Sequence, residues 1–412
     1  MSYRKSGEPL SDYEKNEKYH VIRTVLTTIS NGISTGGYLS AFLILIGLTT
    51  AQISYINAAC YAGALIGTVL ILFLFKKDSA GVKIMKVSCA ALALIPLRYV
   101  LASFFEGKIA FGIIFASAFI VDLLNYIRNS ADINAAGVLF RRNEYTIIAG
   151  RAAMISNAVT FLVTIGLLFL DVSENEMAIY RIMFTVAGVL KIGYTVYTWK
   201  MRVPSDRVHM AGEEKFSLSL KTVFTKKYLI MSLPHFFRGA GNAVLALMTA
   251  SMLSRIPMTA AEKLFQIPLT VFCGIIGGIL VLKIGNRIRP GTMVMLGFIL
   301  SAAALAISPF ITTPAGFFVH LFLYTVVSST GGSFVVPALV FAYDKKEMNV
   351  MSSLHVLAFS LPYIILAAVI GPFMDTNPVA ICTLGAVLYS IAGVLFHFFL
   401  YRPAHPELYH FK

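Results

Sequence analysis

The sequence predicts an all-α membrane protein with twelve transmembrane helices in two bundles of six, and with both termini in the cytoplasm. Composition, the lengths of the apolar segments and the placement of basic residues support this prediction. Hydrophobic residues make up 57% of the 412 residues, and charged residues only 13%. This charged share is about half that of typical soluble domains. A chain of this composition has too little polar surface for a soluble protein, which leaves the polytopic membrane class.

The apolar segments have the lengths that membrane helices require. A bilayer core about 30 Å thick needs about 20 apolar residues per helix. The predicted helices one to twelve are 21–47, 52–75, 84–105, 109–139, 146–170, 178–199, 228–253, 264–282, 292–311, 316–343, 352–374 and 379–401. The longest polar interruption divides the chain into a tail (1–20), a first bundle (21–199), a linker (200–227), a second bundle (228–401) and a tail (402–412).

Basic residues determine the expected orientation. With the N-terminus in the cytoplasm, 26 of the 34 Lys and Arg residues fall in cytoplasmic segments, and only four fall outside. The four are Lys108, Arg181, Arg255 and Lys263. Cytoplasmic loops of membrane proteins carry such an excess of positive charge. The formal charge of +14 is therefore explained by topology, and no nucleic-acid partner is expected.

The remaining four basic residues lie within apolar segments. They are Arg98, Arg128, Lys191 and Arg238. A charge at such a depth costs a few kcal/mol or more unless it faces water or a partner. Function is therefore expected close to these side chains, although Lys191 and Arg98 are also near enough to a membrane face to extend towards it.

Predicted helix four carries a polar stripe in the stretch VDLLNYIRNSADIN (121–134). At about 100° per residue, its members fall within an arc of roughly 120°. They are Asp122, Asn125, Arg128, Asn129 and Asp132. Such a stripe must face protein or a water-filled cavity. We expect Asn125 to contact substrate, and Arg128 and Asp132 to pair across one turn as gating or structural charges.

Asp122 is the carboxylate of this stripe closest to the middle of the membrane. A carboxyl group at that depth can exchange protons near neutral pH. We therefore expect Asp122 to bind the coupling cation. The alternative is a structural ion pair that holds helix four against a neighbour.

Predicted helix seven contains the stretch LPHFFRGAGN (233–242). His235, Arg238 and Asn242 share one helical face. Pro234 removes a helical hydrogen bond, and the glycines allow close approach or local unwinding. Because interrupted helices near mid-membrane are pointers to transporter binding sites, we expect this face to line a central pathway.

If Arg238 lines this pathway, it either binds an anionic or hydroxyl-rich solute or pairs with Asp122 across the two bundles. The structural alternative is that Arg238 extends towards the membrane face or caps a neighbouring helix. The matching stretch of helix one, SNGISTGGY (30–38), is also rich in glycine and polar residues. The other candidates for substrate contact are Asn31, Tyr38, His320 and Tyr324.

A short basic turn follows helix two and recurs after helix eight. The first copy reads FKKDSAGVKIMK and includes Asp78, and the second reads KIGNRIRPG and includes Arg287. With six plus six helices and a basic linker, the whole chain resembles the major facilitator superfamily. The resemblance implies that helices one, four, seven and ten line a central cavity, and it gives Asp78 and Arg287 a gating or structural role.

Two further stretches resemble one family within that superfamily. GGSFVVPALVFAYDKKE (331–347) and RRNEYTIIAGR (141–151) are similar to parts of the glycoside–pentoside–hexuronide cation symporters. Helix two offers only Asn57 where that family has paired aspartates. The resemblance implies a sugar, glycoside or sugar acid as substrate and a proton or sodium ion as the coupling cation.

These observations predict a secondary active transporter of the cytoplasmic membrane, working by alternating access as a monomer. The sequence has no P-loop that would bind ATP, and no cofactor or metal is expected. An organic-anion or drug efflux antiporter is the alternative transport activity. A membrane enzyme or a non-transporting receptor on the same fold is the alternative of another class. The short outer loops and the absence of a signalling domain in the linker argue against both.

Overall fold

The fold is that of a computed structural model. It describes residues 11–74, 78–140, 145–166, 169, 175–207, 225–284, 287–335, 338 and 345–400. The termini and most of the linker lie outside the described residues. So do residues 141–144 and 339–344, which belong to the two symporter-like stretches of the sequence.

The described residues of the first half are mostly helical. Its α-helices are α1 (Asp12–Ser34), α2 (Gly36–Leu45), α3 (Thr50–Leu74), α4 (Asp78–Ser88), α5 (Leu94–Ala102), α6 (Gly107–Leu139), α7 (Tyr145–Gly166) and α8 (Glu176–Lys200). A 3-10 turn, Cys89–Ala93, joins α4 to α5. Helices α1 and α2 together form predicted helix one, and α4 and α5 form helix three.

The second half has one helix for each predicted span. The helices are α9 (Lys226–Arg255), α10 (Ala260–Ile284), α11 (Pro290–Ile307), α12 (Pro314–Ser333), α13 (Lys345–Ile370) and α14 (Pro378–Phe399). Helices α11, α12 and α14 each begin with proline, the residue best suited to the first helical position because its missing N–H is not needed there.

Within the described residues, ten helical segments are long and apolar enough to cross a membrane. They coincide with predicted helices two to four and six to twelve. Helices one and five are represented by the shorter apolar helices Gly36–Leu45 and Arg151–Gly166. The chain is therefore an all-helical, multi-pass membrane protein.

The break in the helices lies in helix one and not in helix seven. Gly36 has φ +69°, a left-handed conformation that glycine adopts without steric cost, and the preceding Thr35 is extended. The prediction of an interruption at Pro234 is wrong, because α9 runs without a break through that residue. Helix one also starts earlier than predicted, since Ser11 and Glu14 form a capping box at the start of α1.

The helices of the two halves pack in the same pattern. In the first half, α1 packs on α7 and α8, α3 packs on α6, and α5 packs on α6 and α8. In the second half, α9 packs on α13 and α14, α10 packs on α12, and α11 packs on α12 and α14. Each pair in one half thus has its counterpart six spans later. Between the halves, α3 packs on α13 and α7 packs on α10, which is again a pair related by the same shift.

Several contacts join the halves at one end of the helices, which the charge distribution predicts to be the outer end. The Thr50 hydroxyl donates to Asp375 at 3.0 Å, and Lys263 pairs with Glu176 at 3.1 Å. The Ser54 hydroxyl donates to the Ala367 carbonyl. These contacts hold the halves together at that end.

Candidate functional site

A cavity of about 280 Å³ lies where the broken helix one meets helices from both halves. It is lined by α1, α2 and α7 of the first half and by α10 of the second. Its polar side chains are all uncharged: Thr28, Asn31, Thr35, Tyr38, Asn157, Thr160, Gln266 and Thr270. This volume is close to the lower limit of about 300 Å³ for drug-sized ligand pockets. The cavity therefore suits a solute no larger than a monosaccharide or nucleoside.

Several polar atoms in the lining are buried without a protein partner. Within the described part of the chain, these are Tyr38 Oη, Thr160 Oγ1, and both Oε1 and Nε2 of Gln266. Leaving a buried polar atom unsatisfied costs about 1–3 kcal/mol. The set includes both donors and acceptors, as the hydroxyl groups of a polar solute require.

The break in helix one brings the backbone of α2 against Gln266. A Cβ atom added to Gly37 would overlap Gln266 Oε1, so only glycine leaves room for this amide. The Tyr38 ring stacks on Tyr180 with a centroid distance of 4.4 Å, which fixes the orientation of the ring. Gln266 itself is 2% exposed. The lining is thus held rigidly by packing.

Lys191 lies directly behind the cavity. Its ammonium donates to Asn31 Oδ1 at 2.7 Å and to Thr27 Oγ1 at 2.5 Å, and the residue is 4% exposed. Because the ammonium requires an acceptor, the Asn31 oxygen points to Lys191 and its NH₂ group remains for the cavity. Lys191 therefore does not extend to the membrane face, and two predicted binding residues, Asn31 and Tyr38, do line the cavity.

The polar stripe of α6 contacts neighbouring helices of the first half. The predicted pair is present, with Arg128 and Asp132 3.5 Å apart. Asp132 also accepts a hydrogen bond from Arg23 of α1 at 2.7 Å and from Tyr194 of α8 at 3.3 Å. Asn125 accepts from Arg128 at 3.3 Å. One carboxylate thus holds two guanidinium groups and ties α1, α6 and α8 together.

Asp122 pairs with Arg98 of α5 at 3.3 Å. Arg98 also donates to the Tyr99 hydroxyl at 2.8 Å and is only 8% exposed, so it does not extend to the membrane face. The expected pair between Asp122 and Arg238 is wrong for this conformation, because each has a partner within its own half.

His235 and Asn242 face the interior of the second half. His235 is 1% exposed and stacks on His355 of α13 with ring centroids 3.9 Å apart. Asn242 accepts a hydrogen bond from Tyr389 of α14 at 2.9 Å. His235 is therefore enclosed and does not line a pathway, because the glycines of the stretch let α9 pack closely on α13 and α14. Asn242 is half-buried, and its contact with solute stays a prediction.

Arg238 has a different setting. Its guanidinium lies over the rings of Phe298 and Phe359, 5.7 and 5.3 Å from their centroids. Nη1 is 3.2 Å from His355 Nε2. The residue as a whole is half-buried. These contacts hold the guanidinium in place.

The other candidates have structural surroundings or lie outside the described side chains. His320 Nε2 donates to the Ala304 carbonyl at 2.9 Å, and its ring stacks on Tyr324 with a centroid distance of 6.3 Å. Arg287 is exposed in the turn after α10. Asp78 is the first residue of α4, and its side chain lies outside the described set.

Sequence reasoning missed six of the eight polar residues that line the cavity. Four of them lie on α7 and α10, which are helices five and eight of the prediction: Asn157, Thr160, Gln266 and Thr270. The signal for Gln266 is a lone amide in the apolar stretch LFQIPLTVF. A polar residue inside a transmembrane helix is a functional candidate by default.

No protein-family model and no curated protein matches the chain. Solved structures do match. A mutant of the nucleoside transporter NupG has a TM-score of 0.67 at 12% identity, covering 94% of this chain and 98% of that one. The inward-open xylose transporter XylE from E. coli has a TM-score of 0.65 at 12% identity, covering 96% and 99%. The E. coli fucose:proton symporter FucP has a TM-score of 0.58 at 14% identity, covering 94% and 99%.

These likenesses extend over nearly the whole chain in each case. The protein therefore has the fold of these three membrane transporters. Each of the three matching proteins is a transporter, and none is an enzyme.

Proposed function

We propose that the protein is a secondary active transporter that moves a small polar solute across the cell membrane by alternating access. The cavity of unpartnered polar groups between the halves carries this proposal. Its size and its uncharged hydroxyl and amide lining support a sugar, glycoside or sugar acid. The fold is shared with transporters whose names give nucleosides, xylose and fucose as solutes.

Twelve spans in two six-helix bundles provide the moving parts. The repeated packing pattern and the two related contacts between the halves support this division. With the termini in the cytoplasm, the contacts Thr50–Asp375 and Lys263–Glu176 close the extracellular side. Opening to the outside then requires that these contacts break while the halves rock around the cavity.

Solute binding tests this proposal through Gln266. Its amide offers both a donor and an acceptor that lack protein partners, so we expect Gln266→Leu to weaken binding about tenfold or more. The measurement is the rise in melting temperature of the purified protein with pentoses, hexoses, nucleosides and sugar acids, because a ligand of the folded state stabilises it by mass action. Gln52, whose amide oxygen accepts from the Thr49 N–H at the start of α3 and which does not line the cavity, gives the control Gln52→Leu.

Either of two results would contradict the proposal. One is that no solute of the panel raises the melting temperature of the unaltered protein. The other is that the shift survives unchanged in Gln266→Leu, which would place the solute elsewhere.

We further propose that a proton drives transport and that Asp122 is the group that carries it. Asp122 is partly exposed and pairs with the guanidinium of Arg98. Arg98 also donates to the Tyr99 hydroxyl, so it keeps this hydrogen bond when Asp122 is protonated. We expect Asp122→Asn to lose accumulation driven by a pH gradient in proteoliposomes while retaining exchange of solute at equal pH. Asp12→Asn, at an exposed acid of α1, is the control. Undiminished accumulation in Asp122→Asn would remove Asp122 from the coupling step.

A further inference from the structure

Lys191 of α8 is a buried cation in the first half of the molecule. The residue is 4% exposed, and α8 packs on α1. In the part of the chain that the structure describes, no carboxylate lies within 4.0 Å of its ammonium. A buried charge without a counter-charge is unfavourable for folding. The stability of the bundle therefore gives no reason for a cation at this position.

The ammonium of Lys191 determines the orientation of the Asn31 amide. Nζ donates to Asn31 Oδ1 at 2.7 Å and to Thr27 Oγ1 at 2.5 Å, and the two acceptors are four residues apart on one face of α1. An ammonium has three donors and no acceptor, so it must face the oxygen of the amide. A rotation of the amide by half a turn would bring its NH₂ group against the ammonium, donor against donor. Lys191 thus fixes which atom of Asn31 faces away from α8.

The NH₂ group of Asn31 is the atom left for the cavity. Asn31 lines the cavity and is exposed, whereas Lys191 and Thr27 are not part of the lining. Among the described residues, Asn31 Nδ2 donates to no protein group. An amide without a fixed neighbour presents either its oxygen or its NH₂ group to a solute, since the two orientations have almost the same shape. Beside Lys191, the Asn31 amide presents only a donor.

We infer that Lys191 is a positioning residue for solute recognition. It does not touch the solute, but it holds the Asn31 amide as a fixed hydrogen-bond donor. The cavity then selects solutes that place an acceptor oxygen, such as that of a hydroxyl or carbonyl group, at this point. This inference rests on the proposed function and adds to it a determinant of specificity behind the cavity wall.

A double-mutant cycle on solute binding tests the inference, because residues that act as a unit have non-additive effects. The probe is the solute among xylose, glucose, galactose, uridine and glucuronate that raises the melting temperature of the unaltered protein most. Its dissociation constant is measured by equilibrium dialysis. We expect Lys191→Met alone to weaken binding about tenfold or more. In the Asn31→Ala background, the same substitution should weaken it by less than about twofold.

The control variant is Lys200→Met, which removes an exposed ammonium at the end of the same helix. It should leave the dissociation constant unchanged in both backgrounds.

Asn31→Asp gives a second measurement that does not depend on removing Lys191. The substitution keeps the oxygen that accepts from the ammonium and adds a carboxylate charge beside it, while an oxygen replaces the NH₂ group. We expect the melting temperature without solute to be at least that of the unaltered protein, and solute binding to be about tenfold weaker or more. A role of Lys191 in stability alone would leave the binding unchanged.

Three results would overturn the inference and leave the proposed function standing. They are an equal loss of binding on Lys191→Met in both backgrounds, no loss in either background, and binding by Asn31→Asp as tight as that of the unaltered protein. Failure of the unaltered protein to bind any of the five solutes would overturn the proposed function as well.

Discussion

Asp132→Asn is expected to lower the free energy of unfolding by about 3 kcal/mol or more. The substitution keeps the size of the side chain but removes the only carboxylate that contacts Arg23 and Arg128 among the described residues. Arg23 is 4% and Arg128 14% exposed in their side chains, so both guanidinium groups would lose this carboxylate in a buried position. Removing one partner of a buried ion pair typically costs about 3–5 kcal/mol for this reason. Unfolding in mixed detergent micelles measures the change.

A matched control separates this effect from the loss of any acidic residue. Asp12 pairs with Lys15 on the exposed first turn of α1, at 4.0 Å. Exposed pairs contribute about 0–1 kcal/mol, so Asp12→Asn should be close to neutral. The double variant Asp132→Asn with Arg23→Gln should recover part of the loss, because one of the two buried guanidinium groups that contact Asp132 is then absent. A change below about 1 kcal/mol in Asp132→Asn would contradict the account of this network.

Gly239→Ala is expected to have the second large effect, a loss of about 1–3 kcal/mol or more. An added methyl group at this position would overlap the carbonyl oxygen of Phe359 on α13. Backbone cannot move aside as a flexible side chain can, so α9 and α13 would have to separate. Small residues allow such close approach between membrane helices. The melting temperature in detergent and the yield of folded protein report the change.

The control for this variant is Gly278→Ala on α10. A methyl group added there meets no atom within 4 Å, and alanine favours helix more than glycine does. We therefore expect Gly278→Ala to be neutral or slightly stabilising. Equal stability of Gly239→Ala and Gly278→Ala would show that the α9–α13 contact is looser than described.

The polar network illustrates which contacts a sequence reveals. Arg128 and Asp132 are four residues apart on one helix, and their pairing follows from helical geometry alone. The contact between Arg23 and Asp132 joins residues 109 positions apart, so no local sequence pattern predicts it. From the sequence, Arg23 is expected at the cytoplasmic end of helix one, because it lies at the start of an apolar segment. Only the packing of α1 against α6 and α8 shows that it is enclosed.

The position of the helix break also could not be predicted from the sequence. Gly36 and Pro234 are both breaking signals in membrane helices, and they lie at related places in the two halves. At Gly36 the backbone turns into the left-handed region and the helix ends. At Pro234 the helix continues, as membrane helices do when neighbouring helices compensate for the lost hydrogen bond. The cavity consequently forms at helix one, and the LPHFFRGAGN stretch packs within the second half.

Cavity residues were predicted where the sequence marked a helix as polar. Asn31 and Tyr38 belong to such a stretch, and both line the cavity. Gln266 and Thr160 are isolated polar residues in apolar segments. They line the cavity because α10 of the second half packs on α7 of the first. A single sequence indicates where the membrane helices lie, because each is a long apolar segment. A single sequence does not show which side chains of distant helices are in contact.

Solute counterflow in proteoliposomes tests the central claim most directly. Vesicles with purified protein are loaded with an unlabelled sugar or sugar acid that raises its melting temperature, then diluted into a trace of the labelled solute. A carrier that alternates access exchanges inner for outer solute, so the account predicts a transient accumulation of label above equilibrium, and its loss in Gln266→Leu. Label that only equilibrates, or never enters, would contradict an alternating-access transporter.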